Sequence, residues 1–181
     1  MKNIFFYRTE FGILGIAEEN QKLTNVFFQN EIDELRNLSA DEKYVAELYG
    51  NKDIAIDGEI CSIQETKILR EASYQLEQYL AGRLKSFELP LAPQGTDFMK
   101  NIWQCLMEIP YGQTRTYKEI ARASGNSKAS RAVGMANNRN PLPFFIPCHR
   151  VIGSNGKLIG YRGGLNIKIK LLEIEKKYAD I

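Results

Sequence analysis

The chain has 181 residues, of which 44% are hydrophobic and 25% charged, a composition typical of one or two soluble globular domains. No tract of biased composition is present, which excludes collagen, a long coiled coil and intrinsic disorder. The net charge of +2 conceals an asymmetry, since residues 1–92 carry ten Lys or Arg against sixteen Asp or Glu, whereas residues 93–181 carry fourteen against six.

The first apolar runs predict a small antiparallel sheet. Ile4–Tyr7, Gly12–Ala17 and Leu23–Phe28 are short strand-like segments separated by polar breaks. Charged residues such as Arg8 and Glu10 interrupt them, so neither a signal peptide nor a membrane span is indicated. We therefore expect a cytoplasmic protein that makes no use of a membrane.

An amphipathic helix is predicted over residues 64–81, whereas residues 30–60 show no pattern that assigns an element. Apolar residues recur at four-residue intervals along one face of this helix: Ile68, Ala72, Leu76 and Leu80. Gly82 follows as a helix stop. The N-terminal half is therefore expected to be an α+β unit.

A segment rich in proline and glycine, residues 89–95, separates the acidic half from the basic half. We place a domain boundary there, between residues 1–92 and 93–181. Thr96 is the expected N-cap of a helix that ends before Pro110. Four apolar residues share a face of that helix: Phe98, Ile102, Trp103 and Leu106. Trp103 and Cys105 are expected to lie in its core.

Two short helices joined by a glycine turn are predicted next. Thr116 and Glu119 have the spacing of a capping box, and Gly125 ends the first helix. Asn126-Ser127 is expected to cap a second helix over residues 128–138, and the pair is typical of a helix-turn-helix. The apolar stripe of the second helix is expected at four positions: Ala129, Ala132, Val133 and Ala136.

A long basic stretch overlies this pair of helices, since no acidic residue lies between Glu119 and Glu173. Such a stretch predicts a polyanionic partner, above all nucleic acid, in preference to a merely solvated basic face. Nine cations fall within it: Arg122, Lys128, Arg131, Arg139, Arg150, Lys157, Arg162, Lys168 and Lys170.

Cys148 is the candidate nucleophile. It is followed by His149, the only histidine in the chain, and by Arg150. A thiolate is the reactive form of cysteine, and a neighbouring base or cation makes it easier to form. Three widely spaced cysteines offer no disulfide framework and no CxxC zinc signature, so neither a metal nor a cofactor is expected. Most cysteines are inert and buried, but an inert cysteine has no need of a neighbouring histidine and arginine. The neighbours of Cys148 therefore favour a reactive role.

Four segments carry a close resemblance to the O6-alkylguanine-DNA alkyltransferase family: Ser130-Arg-Ala-Val-Gly134, Asn140-Pro, Ile146-Pro-Cys-His-Arg-Val151 and Gly160-Tyr-Arg-Gly-Gly164. The resemblance covers residues 96 to about 175. It implies a two-domain α+β fold, with an N-terminal ribonuclease H-like sheet and helix, residues 1–92, serving as a structural domain. It implies a mostly helical, winged-helix-like C-terminal domain, residues 93–181, that binds DNA and accepts the alkyl group.

The resemblance also implies an activity. A monomer without cofactors would bind the minor groove of double-stranded DNA, flip the damaged guanine out of the stack and transfer its O6-alkyl group to Cys148. Each molecule would repair one lesion. Whether O4-methylthymine is a second substrate is left open by the resemblance. His149, acting through a water molecule, would form a relay with Glu175 and Asn140 that favours the thiolate.

Other site residues follow from the same resemblance. Arg131 would fill the gap left by the flipped nucleotide, and Tyr117 would lie near its 3′ phosphate and the base. Three residues would line the DNA backbone: Lys118, Asn126 and Ser154. Three would shape the pocket: Val151, Tyr161 and Arg162. Arg162 is a departure, since many members carry a small residue there.

Three other interpretations are weaker. A cysteine hydrolase normally takes its histidine from a distant part of the chain, whereas the only histidine here adjoins Cys148. A transcription regulator would use the helix-turn-helix but would give Cys148 and the following glycines no purpose. The third interpretation is a relative that does not transfer alkyl groups. Such relatives carry tryptophan in place of the cysteine, so Cys148 argues against it.

Overall fold

The computed structural model describes residues 2–36, 53–56 and 59–179. Contacts divide the chain into two compact units. The first runs to Glu77 and includes Glu88–Ala92, and the second comprises Gln78–Phe87 and the chain from Pro93 onward. The segment Gln78–Phe87 thus packs with the C-terminal unit although it precedes the predicted boundary. Division into independent domains at 92/93 stays a prediction.

The first unit is built on a five-stranded sheet. Its strands are β1 (Lys2–Thr9), β2 (Gly12–Glu19), β3 (Lys22–Phe27), β4 (Asp53–Ile56) and β5 (Glu59–Ile63), in the spatial order β3-β2-β1-β5-β4. The predicted antiparallel sheet is present, and one parallel pair, β1 with β5, extends it. Strand β4 and the first two residues of β5 come from the segment in which the sequence assigns no element.

Two helices accompany the sheet, α1 (Gln29–Arg36) and α2 (Lys67–Leu80). Helix α2 begins three residues later than predicted, and its buried face differs from the predicted one. Ile68 and Leu80 are only half-buried. The buried positions follow a repeat of three and four residues, as the period of 3.6 requires: Leu69, Ala72, Leu76 and Tyr79.

The second unit is mostly helical, as predicted. Its elements after Pro93 are α3 (Asp97–Met107), β6 (Arg115–Thr116), α4 (Tyr117–Ala123), α5 (Ser130–Asn138), a single 3-10 turn (Cys148–Arg150), β7 (Val151–Ile152) and α6 (Leu165–Tyr178). The two short strands β6 and β7 pair in parallel. This pairing holds the start of α4 beside the end of the 3-10 turn.

Helix α3 begins at the predicted cap, where Thr96 accepts a hydrogen bond from the backbone N–H of Met99 at 3.3 Å. Trp103 is buried and donates its indole N–H to the carbonyl of Ala136 at 2.9 Å, which joins α3 to α5. Cys105 is only half-buried, so its assignment to the core is wrong.

The capping box of α4 is present. The Thr116 hydroxyl accepts from the backbone N–H of Glu119 at 3.2 Å, and the Glu119 carboxylate accepts from the backbone N–H of Thr116 at 2.7 Å. Each residue therefore satisfies a backbone donor that the first turn of the helix would otherwise leave unpaired.

Helix α5 departs from its prediction. Asn126 does not cap it, because the side chain of Asn126 accepts from Lys128 N at 3.2 Å and its carbonyl accepts from Ala129 N at 3.0 Å. This turn delays the helix to Ser130. Ala132 is exposed and not part of the apolar stripe.

Among the residues that the structure describes, no helix combines the length and apolarity that crossing a membrane requires. The same residues contain no cluster of three or more His, Cys, Asp or Glu side chains that could hold a metal ion.

Candidate active site

The turn that carries Cys148 follows a wholly buried loop, residues 141–147. Asn140 clamps the loop at both ends: its amide nitrogen donates to the carbonyl of Ile146 at 2.8 Å, and its amide oxygen accepts from Leu142 N at 3.0 Å. Phe144 has a φ of 74°, a region that bulky residues rarely adopt, and burial holds it there. The loop therefore fixes the position of the Cys148 backbone.

Cys148 is 3% exposed. Burial raises the pKa of its thiol, while a hydrogen bond from Asn140 and the positive charges of Arg162 and Lys168 act in the opposite direction. Burial prevails, so the resting group is a neutral thiol. A base must remove its proton before the sulfur can act as a nucleophile.

His149 is fully buried beside Cys148 and has the properties of that base. Burial lowers the pKa of the imidazole although Glu175 partly opposes the effect, so the ring is neutral near pH 7. Its Nε2 lies 2.8 Å from Oε1 of Glu175. A carboxylate only accepts, so Nε2 carries the proton and Nδ1 is the basic nitrogen. Nδ1 is buried and has no hydrogen-bond partner among the described residues.

Glu175, on the last turns of α6, is the hub of the site. One carboxylate oxygen accepts from His149, from Tyr79 and from Nε of Arg150, the last at 2.9 Å. The other accepts from the backbone N–H of Gly112 at 2.9 Å. Burial alone would raise its pKa, but hydrogen bonds from His149 and Arg150 and the positive charge of Arg150 outweigh burial and lower the pKa to about 2. Glu175 is therefore ionised throughout the neutral range.

Two of the nine cations in the basic stretch are buried and act inside the protein. Arg150 binds Glu175 and donates to the carbonyl of Ile109 at 2.6 Å. Lys168 is fully buried and donates to the carbonyls of Val151 at 2.6 Å and Ile159 at 3.2 Å. The expectation that the whole stretch faces a polyanion is wrong for these two. Six of the others are exposed: Arg122, Lys128, Arg131, Arg139, Lys157 and Lys170.

A mostly apolar cleft of about 360 Å³ lies between α5 and the segment before α6. Tyr117 lines it and donates its hydroxyl to the carbonyl of Ile159 at 3.1 Å. Arg131 also lines it, with an exposed side chain. Asn137 also lines it, and its amide nitrogen donates to the carbonyl of Cys148 at 3.4 Å. Asn137 therefore links the cleft to the turn that carries Cys148.

The remaining predicted residues fall into two groups. Val151 and Tyr161 are buried and Arg162 is half-buried. Burial raises the pKa of Tyr161 well above its usual value, with a smaller contribution from Cys148, which is close by. Three predicted DNA contacts are exposed, on α4, on the turn before α5 and on the turn after β7: Lys118, Asn126 and Ser154.

Both parts of the chain match models of one protein family. Residues 5–93 match the ribonuclease-like domain of 6-O-methylguanine DNA methyltransferase, and residues 97–177 match the DNA-binding domain of the same proteins. The chain belongs to the 6-O-methylguanine DNA methyltransferase family. Membership confirms the fold class predicted from the sequence, including the ribonuclease-like N-terminal half, for which the sequence resemblance is only coarse.

Named relatives and solved structures agree with this family. A methylated-DNA–protein-cysteine methyltransferase of Methanosarcina acetivorans is 56% identical over 141 residues, which cover 76% of this chain and 89% of the relative. The constitutive methylated-DNA–protein-cysteine methyltransferase of Bacillus subtilis is 43% identical over 171 residues, covering 93% and 92%. The crystal structure of Mycobacterium tuberculosis OGT in complex with DNA matches with a TM-score of 0.76 and 35% identity, covering 97% of this chain and 94% of that one.

Sequence reasoning missed three residues of this candidate site, Tyr79, Asn137 and Lys168. Lys168 left a detectable signal, because Lys168, Leu171 and Glu175 are spaced as the buried face of α6. Two charged residues on a buried face indicate polar partners in the interior. Tyr79 and Asn137 left no signal beyond ordinary helix positions.

Proposed function

We propose that this protein repairs DNA by transferring the alkyl group from O6 of a damaged guanine to the Sγ atom of its own Cys148. The activity is that of its family. The observation that carries the residue assignment is the unpartnered Nδ1 of a buried, neutral His149, next to a neutral thiol and backed by the ionised Glu175.

The chemistry balances without a cofactor. The thiol proton of Cys148 moves to Nδ1 of His149 through a water molecule, and the thiolate attacks the alkyl carbon. The sulfur–carbon bond forms as the carbon–O6 bond breaks, and the bonding electrons stay with the guanine. A proton returns to N1 of the base, which restores normal guanine. Asn140 contributes by holding the loop that fixes the Cys148 backbone and by its hydrogen bond to the thiol.

DNA binding is supported by the exposed surface of α4 and α5. Lys118, Asn126 and Ser154 are exposed and available to phosphates. We place this surface in the minor groove, with Arg131 filling the stack vacated by the flipped nucleotide. The apolar cleft between Tyr117 and Arg131 would then accept the extruded base. Val151, Tyr161 and Arg162 would shape the deeper part of the pocket.

The reaction is expected to stop after one event per molecule. A thioether at Cys148 has no good leaving group at neutral pH, and the described residues around it provide His149 as the only general base. We propose that the protein acts as a monomer on double-stranded DNA that contains O6-alkylguanine.

The experiment is methyl transfer from an excess of duplex DNA that contains O6-methylguanine. We expect a single burst that ends at one methyl group per protein molecule. Cys148→Ser should transfer nothing yet bind the duplex as the wild type does, because an alcohol is far harder to ionise than a thiol. Cys105→Ser, at a half-buried cysteine outside the site, should transfer normally. Sustained turnover, or transfer by Cys148→Ser, would refute the proposal.

A further inference from the structure

Tyr79 contacts both members of the His149–Glu175 pair. Its side chain is fully buried at the end of α2. The hydroxyl donates to Oε1 of Glu175, and its oxygen lies 3.1 Å from Nε2 of His149. The ring is held by Phe87 at a centroid distance of 5.0 Å and by Tyr111 at 5.8 Å. A phenol is thus fixed where the imidazole meets the carboxylate.

The direction of the hydrogen bond follows from the chemistry of the two groups. Burial, reinforced by the charge of Glu175, raises the pKa of Tyr79 well above 10, so the phenol keeps its proton. A carboxylate can only accept. Tyr79 therefore always donates to Glu175, and it takes up part of the negative charge that would otherwise act on His149.

We propose that Tyr79 is a positioning residue of the alkyl-transfer site: it fixes Oε1 of Glu175 against Nε2 of His149 and moderates the pull of the carboxylate, so that the imidazole stays neutral with Nδ1 as the base. Only the link to alkyl transfer rests on the proposed function. The relay thereby includes a residue that precedes the predicted boundary at 92/93.

Titratable and charged groups face His149 from several parts of the second unit. Glu175 raises its pKa, while Arg150 and Lys168 lower it through their positive charges. The groups near the imidazole and the phenol come from α2, the loop after α3, the cysteine turn and α6: Tyr79, Tyr111, Cys148, Arg150, Lys168 and Glu175. Removing the Tyr79 hydroxyl changes a neutral group and leaves all these charges in place.

The experiment uses the full-length protein labelled with ¹⁵N-histidine. The chain contains a single histidine, so both ring-nitrogen signals belong to His149. Spectra between about pH 4.5 and 8 give the tautomer and the fraction of imidazolium of His149. We expect the wild type to carry its proton on Nε2. In Tyr79→Phe the titration midpoint should rise by about 0.5 to 1 pH unit, because Glu175 loses a donor and stabilises the imidazolium more strongly.

Tyr111→Phe is the matched control. It also removes one buried tyrosine hydroxyl, but this hydroxyl has no hydrogen-bond partner among the described residues, so the midpoint should not move. Incorporation of 3-fluorotyrosine supplies a second test that needs no substitution. The more acidic phenol is a stronger donor to Glu175, so the midpoint should fall.

An unchanged or lower midpoint in Tyr79→Phe would overturn the proposal. If that variant does not fold, an unchanged or higher midpoint in the fluorotyrosine protein would overturn it. Since the titration uses no DNA, its outcome is separate from the proposed function, which fails if the wild type does not methylate Cys148. Where transfer occurs, the acid limb of its pH profile with free O6-benzylguanine should shift upwards in Tyr79→Phe, whereas a merely structural role would lower the rate equally at every pH.

Discussion

At the scale of single residues, Arg131 separates base flipping from simple docking. Its exposed side chain lines the apolar cleft, but Arg131 is one of six exposed cations in the basic stretch between Glu119 and Glu173. Arg131→Ala should therefore keep its affinity for undamaged duplex within about threefold. Transfer from duplex DNA should slow at least about tenfold, because nothing holds the nucleotide out of the stack. Competition binding and single-turnover kinetics measure the two quantities.

Free O6-benzylguanine provides the control substrate for Arg131, since it needs no extrusion and should react at a near-normal rate. Arg139→Ala removes an exposed cation at the end of the same helix that does not line the cleft, and it should leave transfer from duplex almost unchanged. A parallel fall in free-base reactivity would show that Arg131 supports the pocket or the fold.

Glu175 should make the stability of the protein depend on pH in the acid range. Its folded pKa of about 2 lies below the ordinary 4.5, so the carboxylate stabilises the fold fully above about pH 4.5. This contribution, up to about 3 kcal/mol, is lost as the pH falls towards 2. The difference in unfolding free energy between the wild type and Glu175→Gln should therefore shrink between pH 7 and about pH 3 in urea titrations.

Glu173→Gln is the matched comparison for Glu175, because Glu173 is exposed on the same helix. We expect its stability difference from the wild type to be small at both pH values. A constant difference for Glu175→Gln across this range would contradict the assignment of Glu175 as the ionised hub.

At the scale of elements, the two threonine caps test how α4 is held. The side chains of Thr116 and Glu119 each accept a hydrogen bond from the backbone N–H of the other residue. The side chain of Thr96 accepts a single such bond, of 3.3 Å. Thr116→Ala should cost about 1 to 2 kcal/mol of unfolding free energy, and Thr96→Ala about half as much. Urea denaturation of the two variants measures the difference. An equal or smaller cost for Thr116→Ala would show that its capping box adds nothing.

Elements whose boundaries depend on local side chains could be predicted from the sequence. Helices α3 and α4 begin where Thr96 and Thr116 cap them, and both caps are visible in the sequence. Helix α5 begins later than predicted because the side chain of Asn126 forms a turn with Lys128 and so does not cap the helix. On α2, positions four residues apart are rotated by about 40° relative to one another around the helix axis, so a strict four-residue repeat leaves the buried face. The prediction therefore placed Leu80 on the buried face, where the structure has Tyr79.

The site shows the same division between local and long-range information. Cys148 and His149 are adjacent in the sequence, so their chemistry could be read directly. Glu175 and Asn140 could be proposed only through the family resemblance. Tyr79 reaches Glu175 across 96 positions of the chain, a contact that arises because the segment Gln78–Phe87 packs within the second unit.

At the scale of the whole molecule, charge should govern DNA affinity. Six of the nine cations in the basic stretch are exposed, because Arg150 and Lys168 are buried and Arg162 is half-buried. If Lys118 and the five exposed cations other than Arg131 contact phosphates, counterion release gives a slope of about −5 for log K against log salt concentration. Lys128→Ala should reduce its magnitude by about 0.9. Lys67→Ala, an exposed lysine of the acidic half, should leave it unchanged. A flat salt response would contradict electrostatic binding.

The most direct measurement of the central claim is mass spectrometry of the protein after one equivalent of duplex DNA containing O6-methylguanine. The intact mass should increase by one methyl group, and peptide mapping should locate that group on Cys148, with Cys61 and Cys105 unmodified. Since Cys61 and Cys105 lie outside the relay of His149 and Glu175, they report non-specific alkylation. An unchanged mass, or a methyl group on any residue other than Cys148, would contradict the account.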